Sequence, residues 1–285
     1  MTGTIEAARR YYAEELRITT HMSSPALFAA FATVPRELFV GPGPWRFLDQ
    51  GEYWTTGDAD PRHVYHNVLI ALDQAKGINN GQPSLWALHL DRLGVRVGDH
   101  LLHLGCGTGY YTAILAEIVG PQGRVTAIDI DEAIAERARV ALAPWTQVAV
   151  VHGDGCKGPF EPADVIVLSA GATHPLPSWL AALKPGGRLL FPLAPARAVG
   201  AMAYLTRKTG EIFEARLMYG VQFIAFSGAQ DPRVGSQISK ALSRDHGSGV
   251  KSLRCDPHDK QETCWLHGDG WCFSTREAIP SESDA

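Results

Sequence analysis

Between residues 84 and 200 short apolar runs alternate with helical patterns, and one junction between them restricts the fold more than any other feature. The run His100–Leu104 stops at Gly105-Cys106-Gly107-Thr108-Gly109, and a helical stretch, Tyr110–Val119, follows with no spacer. A strand ending in glycines just ahead of a helix leaves the helix's first N–H groups free and lets a ligand approach bare backbone. The alternation then repeats. Gly120-Pro121-Gln122-Gly123 makes a turn, residues 124–128 a strand closed by Asp129, and Ile134, Ala138, Ala141 and Leu142 mark the next helix. Residues 147–152 form a third strand ending in Gly153-Asp154-Gly155, and residues 164–169 a fourth. Its unbroken run Val165-Ile166-Val167-Leu168 is the pattern of a strand buried on both faces. Leu183-Lys184-Pro185-Gly186-Gly187 turns into a fifth strand, 188–193. Strands and helices alternating at this spacing predict an α/β chain with a parallel, doubly wound sheet.

The flanks read differently. Ile5, Ala8, Tyr12 and Leu16 fall on one helical face, and Ser24-Pro25 is an N-cap and N1 pair ahead of Leu27, Phe28 and Phe31. Pro35 ends that helix, and residues 41–63, rich in Gly, Pro and Asp, read as one long loop. Pro83 and Ser84 open a helix carrying Trp86, Leu90 and Leu93. Beyond residue 200, segments 202–207 and 211–218 around Thr209-Gly210 predict a β-hairpin, residues 221–226 a further strand, and polar residues 280–285 a disordered tail. The expected organisation is N-terminal helices and a substrate loop over 1–78, a ligand-binding core over 79–197, and a C-terminal β-containing lobe over 198–285.

Composition narrows the partners. The net charge of −4 gives no basic excess for nucleic acid, and no apolar run is long enough to span a bilayer. The first residues lack the greasy segment of a signal peptide. Five scattered cysteines argue against a disulfide framework and for the reducing cytoplasm.

The glycine turn alone does not choose a ligand, because dinucleotide-binding domains carry one too. Their pattern is G-x-G-x-x-G, whereas Tyr110 stands here at the third glycine's place and the pattern is G-x-G-x-G. Asp129 closes the second strand, where a carboxylate can accept ribose hydroxyls, and Asp154 closes the third, within reach of an adenine amino group. Each alone is more often a turn or cap residue. In series with the glycine turn they describe a nucleoside site at the carboxyl ends of successive strands.

The order HLGCGTGYYTAILAEIVGPQGRV, AID, GDG and LKPGGRLLFPL, with VPRELFV and QPSLWA upstream, resembles the protein-L-isoaspartate O-methyltransferases over roughly residues 20 to 195. The resemblance implies a Rossmann-like methyltransferase sheet with an N-terminal helical cap and S-adenosyl-L-methionine as cofactor. It also implies that Gly105, Cys106, Gly107, Gly109 and Ile130 line the cofactor, Asp129 holds its ribose, and Asp154 with Gly155 faces its adenine. Two positions depart from the family. His103 stands where an acidic residue is usual, and the substrate segment T-I-S-Q-P is here Asn79-Asn80-Gly81-Gln82-Pro83. Without the family's serine, the substrate-positioning residues expected are Asn79, Asn80, Gly81 and Gln82, acting through amides and backbone.

The chemistry asks for alignment rather than proton transfer, since a carboxylate acceptor is ionised at neutral pH. A phenol or amine would need a base, for which His63 and His66 are the nearby candidates. Tyr53 and Trp54 in the long loop are expected either to cover the site or to pack in the core. The expected activity is methyl transfer to a carboxylate of a peptide or protein. A small-molecule or peptide natural-product methyltransferase and a non-catalytic cofactor-binding module are the alternatives, and the sequence does not set the oligomeric state. Cys255-x-x-His258, Cys264-x-x-His267 and Cys272 have spacings that zinc accepts. No regular finger pattern accompanies them, and Trp265 and Trp271 are interleaved, so a packed lobe without metal is expected.

Overall fold

A computed structural model describes residues 3–49, 51–208 and 210–278. The expected disordered tail, 280–285, lies outside the described residues. In chain order the first elements are α1 (Ile5–Thr20), α2 (Pro25–Thr33), β1 (Arg46–Asp49), β2 (Glu52–Thr55), β3 (Leu69–Asp73), β4 (Ile78–Asn79) and α3 (Pro83–Leu93). Then come β5 (His100–Leu104), α4 (Tyr110–Val119), β6 (Arg124–Asp129), α5 (Glu132–Ala141), β7 (Val148–His152), β8 (Ala163–Leu168), α6 (Pro177–Ala182) and β9 (Leu183–Leu193). The last are β10 (Gly200–Arg207), β11 (Phe213–Val221), α7 (Pro232–Asp245), β12 (Ser252–Arg254), β13 (Cys264–Gly268) and β14 (Trp271–Ser274). The chain divides into two compact units, one of residues 1–99 and 106–153, the other of residues 100–105 and 154–285.

Local chemistry sets the boundaries in the first unit. The Thr4 hydroxyl accepts from the Ala7 N–H to start α1, Ser24 accepts from Leu27 ahead of Pro25 to start α2, and Asp131 accepts from Ile134 to start α5. β6 and β7 pair in parallel from Val125↔Val148 to Asp129↔His152. The segment expected to be one long loop contains a hairpin: Arg46↔Thr55 through Asp49↔Glu52, with Phe47 also paired to Ile70 of β3. Gly and Pro punctuate its ends, but RFLD and EYWT carry enough β-formers to pair, and Phe47 is buried edge-on to Trp54. Arg36, within VPRELFV, is fully buried. It donates to the carbonyls of Val64, His66 and Val68 at 2.7, 2.7 and 2.9 Å, and its guanidinium lies 5.6 Å from the ring centres of Tyr12 and Tyr110. That one side chain ties the loop ahead of β3 to the helical layer.

In the second unit β8 pairs in parallel with β5 and β9, and β9, β10 and β11 run antiparallel. Val165, Ile166, Val167 and Leu168 are all fully buried, as their unbroken apolar run requires. The expected hairpin after residue 200 is β10–β11. Residues 222–226 form no strand of their own; Val221 ends β11, and Ala225 makes only an isolated bridge to Gly171. The lobe is completed by β12, β14 and β13 in antiparallel order and by α7, whose N-cap is Asp231. Among the described residues no helix is long and apolar enough to cross a membrane.

Candidate active site

In the first unit the glycine turn and the end of β6 are tied together. The Gly107 N–H donates to Asp129 Oδ2 at 2.8 Å, the Asp131 N–H donates to Oδ1 at 3.0 Å, and the Cys106 N–H donates to the Ile128 carbonyl at 3.1 Å. Burial pushes the Asp129 carboxyl above its usual range, against the backbone N–H groups that favour its charged form. Gly107 has φ +59°, and nothing lies within 4 Å of where its β-carbon would be. Ile130, next along, is 52% exposed, an apolar side chain beside a carboxylate at a strand end. Cys106 is buried, and burial raises its thiol well above the ordinary value, so it is neutral and not a nucleophile.

The segment expected to position substrate also lies in this unit and touches the helix that the glycine turn opens. Tyr111 of α4 donates its hydroxyl to the Gly81 carbonyl at 3.1 Å, and the Gly81 N–H donates to Asn79 Oδ1 at 2.9 Å. Gly81 has φ +74°, and a β-carbon there would stand 2.6 Å from Trp86 Nε1 and 3.3 Å from the Tyr111 ring. A serine here would be strained by the backbone conformation and would have to displace the Trp86 ring. Asn80 extends the β3 pairing with its side chain: its N–H donates to the Ile70 carbonyl, and its Oδ1 accepts from the Ile70 N–H at 2.9 Å. That pairing fixes which amide atom is oxygen and leaves Nδ2 buried with no hydrogen-bond partner. Gln82 Nε2 donates to the Asn67 carbonyl at 2.9 Å and to Asn67 Oδ1 at 3.1 Å, which anchors the start of α3.

The second unit holds the remaining motif residues. His103 is fully buried on β5 with Nε2 2.7 Å from Ser169 Oγ, and burial lowers its pKa to about 3. Asp154 accepts from the Cys156 N–H at 2.9 Å and faces Lys157 at 3.3 Å; that backbone bond is the main reason its pKa is lowered. Gly155 is hemmed in: its carbonyl accepts from Trp179 Nε1 at 2.8 Å, and a β-carbon would stand 2.8 Å from the Phe226 ring. The same ring lies 3.7 Å from the β-position of Gly105. Phe226 and Ser169 were not singled out from the sequence. Ser169 sits where an apolar run ends, a usable signal, whereas Phe226 comes from an irregular segment with none. A separate cavity of about 550 Å³, lined by His174, Arg207, Phe213, Cys255 and Trp271 among others, contains none of the expected site residues.

Other candidates fall into place outside the motifs. His63 pairs with Asp58 at 2.8 Å near the surface, and His66 contributes its backbone carbonyl to Arg36. Trp54 is half exposed and packs on Phe47. All five cysteines are unpaired. His258, Cys264, His267 and Cys272 come together in the C-terminal lobe, and Cys255 stays apart.

A family model described as Protein-L-isoaspartate(D-aspartate) O-methyltransferase matches residues 10–231. The chain is 32% identical over 208 residues to protein-L-isoaspartate O-methyltransferase 1 of Rhodopseudomonas palustris, covering 72% of this chain and 76% of that one. It is 29% identical over 225 residues to the Ignicoccus hospitalis enzyme, covering 77% and 97%. A solved protein-L-isoaspartate O-methyltransferase superposes with a TM-score of 0.64 at 24% identity, over 82% of this chain and 69% of that one. A Plasmodium falciparum structure described as a putative member in complex with S-adenosyl-L-homocysteine gives 0.61 at 14%, over 77% and 98%. These two show a shared fold, that of the Rossmann-like methyltransferases. The match extends past the motif region to Asp231, the N-cap of α7, and the chain belongs to the protein-L-isoaspartate(D-aspartate) O-methyltransferase family.

Proposed function

We propose that this chain transfers methyl from S-adenosyl-L-methionine to a carboxylate of a protein or peptide, held by amide donors of the Asn79–Gln82 segment in place of the family's serine hydroxyl. Family membership makes the chain an S-adenosylmethionine-dependent O-methyltransferase. The residues fit that cofactor: Gly107 has open space on its β side, Asp129 offers a carboxylate, and Ile130 an exposed apolar side chain. In this reading Gly105, Cys106, Gly107 and Gly109 give the methionine end bare backbone, Asp129 holds the ribose with Ile130 beside it on the cofactor, and Asp154 with Gly155 faces the adenine. When bound, the cofactor supplies a sulfonium-activated methyl group; the protein's task is alignment. No base is required, because a carboxylate is already ionised at neutral pH. In the same reading residues 1–78 frame the acceptor, 79–197 carry the chemistry, and 198–285 are a C-terminal lobe whose described part adds β10 to β14. The free cysteines accord with the cytoplasm as compartment.

The observation that carries the reading is Asn80 Nδ2, a buried donor with no partner, one residue from Gly81. An orphaned buried donor is costly unless an acceptor arrives, and a substrate carboxylate oxygen is one. The test is Asn80→Asp, which keeps the oxygen that accepts from Ile70 and replaces the donor with negative charge. Losing a charge-assisted hydrogen bond costs about 1.5–3 kcal/mol, so KM for a carboxylate acceptor should rise by about 10-fold to 150-fold. Affinity for S-adenosylhomocysteine should stay near wild type. An unchanged KM in a folded variant would remove Asn80 from the acceptor site. The same crowding at Gly81 also favours an acceptor other than a strict isoaspartyl residue, such as a carboxylate in a dedicated peptide substrate.

A further inference from the structure

The C-terminal lobe gathers a second set of chemistry-bearing residues, all in one unit. His267 of β13 and Cys272 of β14 are register partners and so share a face of the sheet. Cys264 precedes His267 by three positions, and in a regular strand the two would point to opposite faces. The strand is not regular. Cys264 pairs with Ser274 and Leu266 with Phe273, so Trp265 is an extra, bulged residue that resets the alternation. Ser274 and Cys272 share a face, and the bulge therefore brings Cys264 onto the face of His267 and Cys272. His258 reaches the same place from the loop between β12 and β13.

The ligand atoms of the four residues lie within 4.8 Å of one another, with His258 Nε2 3.6 Å from Cys264 Sγ. In a tetrahedral site with metal–sulfur and metal–nitrogen bonds of about 2.3 and 2.1 Å, ligand atoms stand about 3.4–3.8 Å apart. Two further observations point to a ligand. His267 Nδ1 is buried with no hydrogen-bond partner. His258 Nδ1 lies 2.7 Å from the Asp256 carbonyl, which turns Nε2 toward the cluster, the arrangement by which outer contacts orient metal-binding imidazoles.

We propose that His258, Cys264, His267 and Cys272 form a structural zinc site. Two sulfurs and two nitrogens in a compact tetrahedron suit zinc, and four protein ligands leave no position for substrate, so the site is structural rather than catalytic. Binding releases the two thiol protons to solvent and transfers no electron. The four residues lie beyond the segment that the family model matches, so the site belongs to this chain's C-terminal extension. It pins loop 255–262 onto β13, which among the described residues has only β14 as a strand partner, and closes that edge of the lobe. Such a site differs from the metal-free lobe expected from spacing. The Cys255-x-x-His258 pairing was misleading because Cys255 lines the cavity instead, and the bulge that aligns Cys264 with His267 has no signature in residue spacing.

The test uses the full chain purified under reducing conditions, washed with chelator and analysed for metal by mass spectrometry, with Co²⁺ substitution as optical probe. About one zinc per chain is expected to survive the wash, and the cobalt form should show tetrahedral d–d bands with thiolate-to-metal charge transfer. His258→Ala and Cys264→Ser should each lose both signals, whereas Cys255→Ser should keep them. Folded wild-type protein that takes up neither zinc nor cobalt overturns the proposal, and this reading does not depend on any variant folding. Full metal retention in both ligand variants overturns it, as does a Cys264–Cys272 disulfide found by alkylation in the reduced preparation.

Discussion

His103 stands on β5 where the family usually has an acidic residue, and its surroundings hold it neutral. Burial lowers its pKa to about 3, from an ordinary value near 6.5. The unfolded chain therefore takes up a proton below about pH 6.5 that the folded chain refuses until about pH 3. Stability from this residue is full above pH 6.5 and falls as pH drops through that window, by about 2 kcal/mol at pH 5. His89, also lowered by burial to about 4, adds to the same acid limb. In His103→Gln the urea-unfolding free energy should fall less steeply between pH 7 and 5, with the difference near that figure. Identical slopes in the two proteins would mean that His103 is protonated in the fold. A neutral imidazole bonded to Ser169 cannot replace a carboxylate as an acceptor of two donors, so His103 does not offer what the family's acidic residue offers at this position. At Gly81 the departure is equally physical: Trp86 and Tyr111 fill the space that a serine would need.

Among the elements, those with a strong local signal were legible in the sequence to within a residue or two. The N-cap Ser24 and the apolar run Val165–Leu168 of β8 are examples, because capping and two-sided burial act through the residues themselves. The hairpin β1–β2 was not legible. Its strands are four residues each, set in Gly- and Pro-rich sequence, and its stability comes from Phe47 packing on Trp54 and pairing with β3. The bulge in β13 was hidden for the same reason, since it is defined by partners on another strand. Arg36 is a further case: a charged residue in VPRELFV reads as surface, yet it is fully buried and answers three carbonyls. Arg36→Met would orphan those carbonyls while removing a buried charge. The expected net loss is about 3 kcal/mol in denaturant unfolding, with Arg36→Lys intermediate because one ammonium cannot reach all three. A methionine variant within about 1 kcal/mol of wild type would show that water satisfies the loop instead.

Across the molecule, the motif residues of the candidate site were legible, but the way each is held was not. Asp129 was read from its place at a strand end; the structure adds that it also clamps Gly107 and the residue after Ile130. Asn80 was read as an acceptor contact, and only the fold shows that its oxygen is taken by Ile70 and its nitrogen left over. Nothing in the sequence brings Phe226 against Gly105 and Gly155, a contact across more than seventy residues from an irregular segment. These details bear on which carboxylate is methylated rather than on whether one is. The direct measurement is transfer of a tritiated methyl group from S-adenosylmethionine to isoaspartyl peptide, normal aspartyl peptide and protein extract, followed by mild alkali. Methyl esters hydrolyse to volatile methanol, so label that enters peptide or protein and leaves as volatile tritium is the expected result. Label that stays bound through alkali, or that appears only on small molecules, would contradict carboxyl methylation of a protein or peptide.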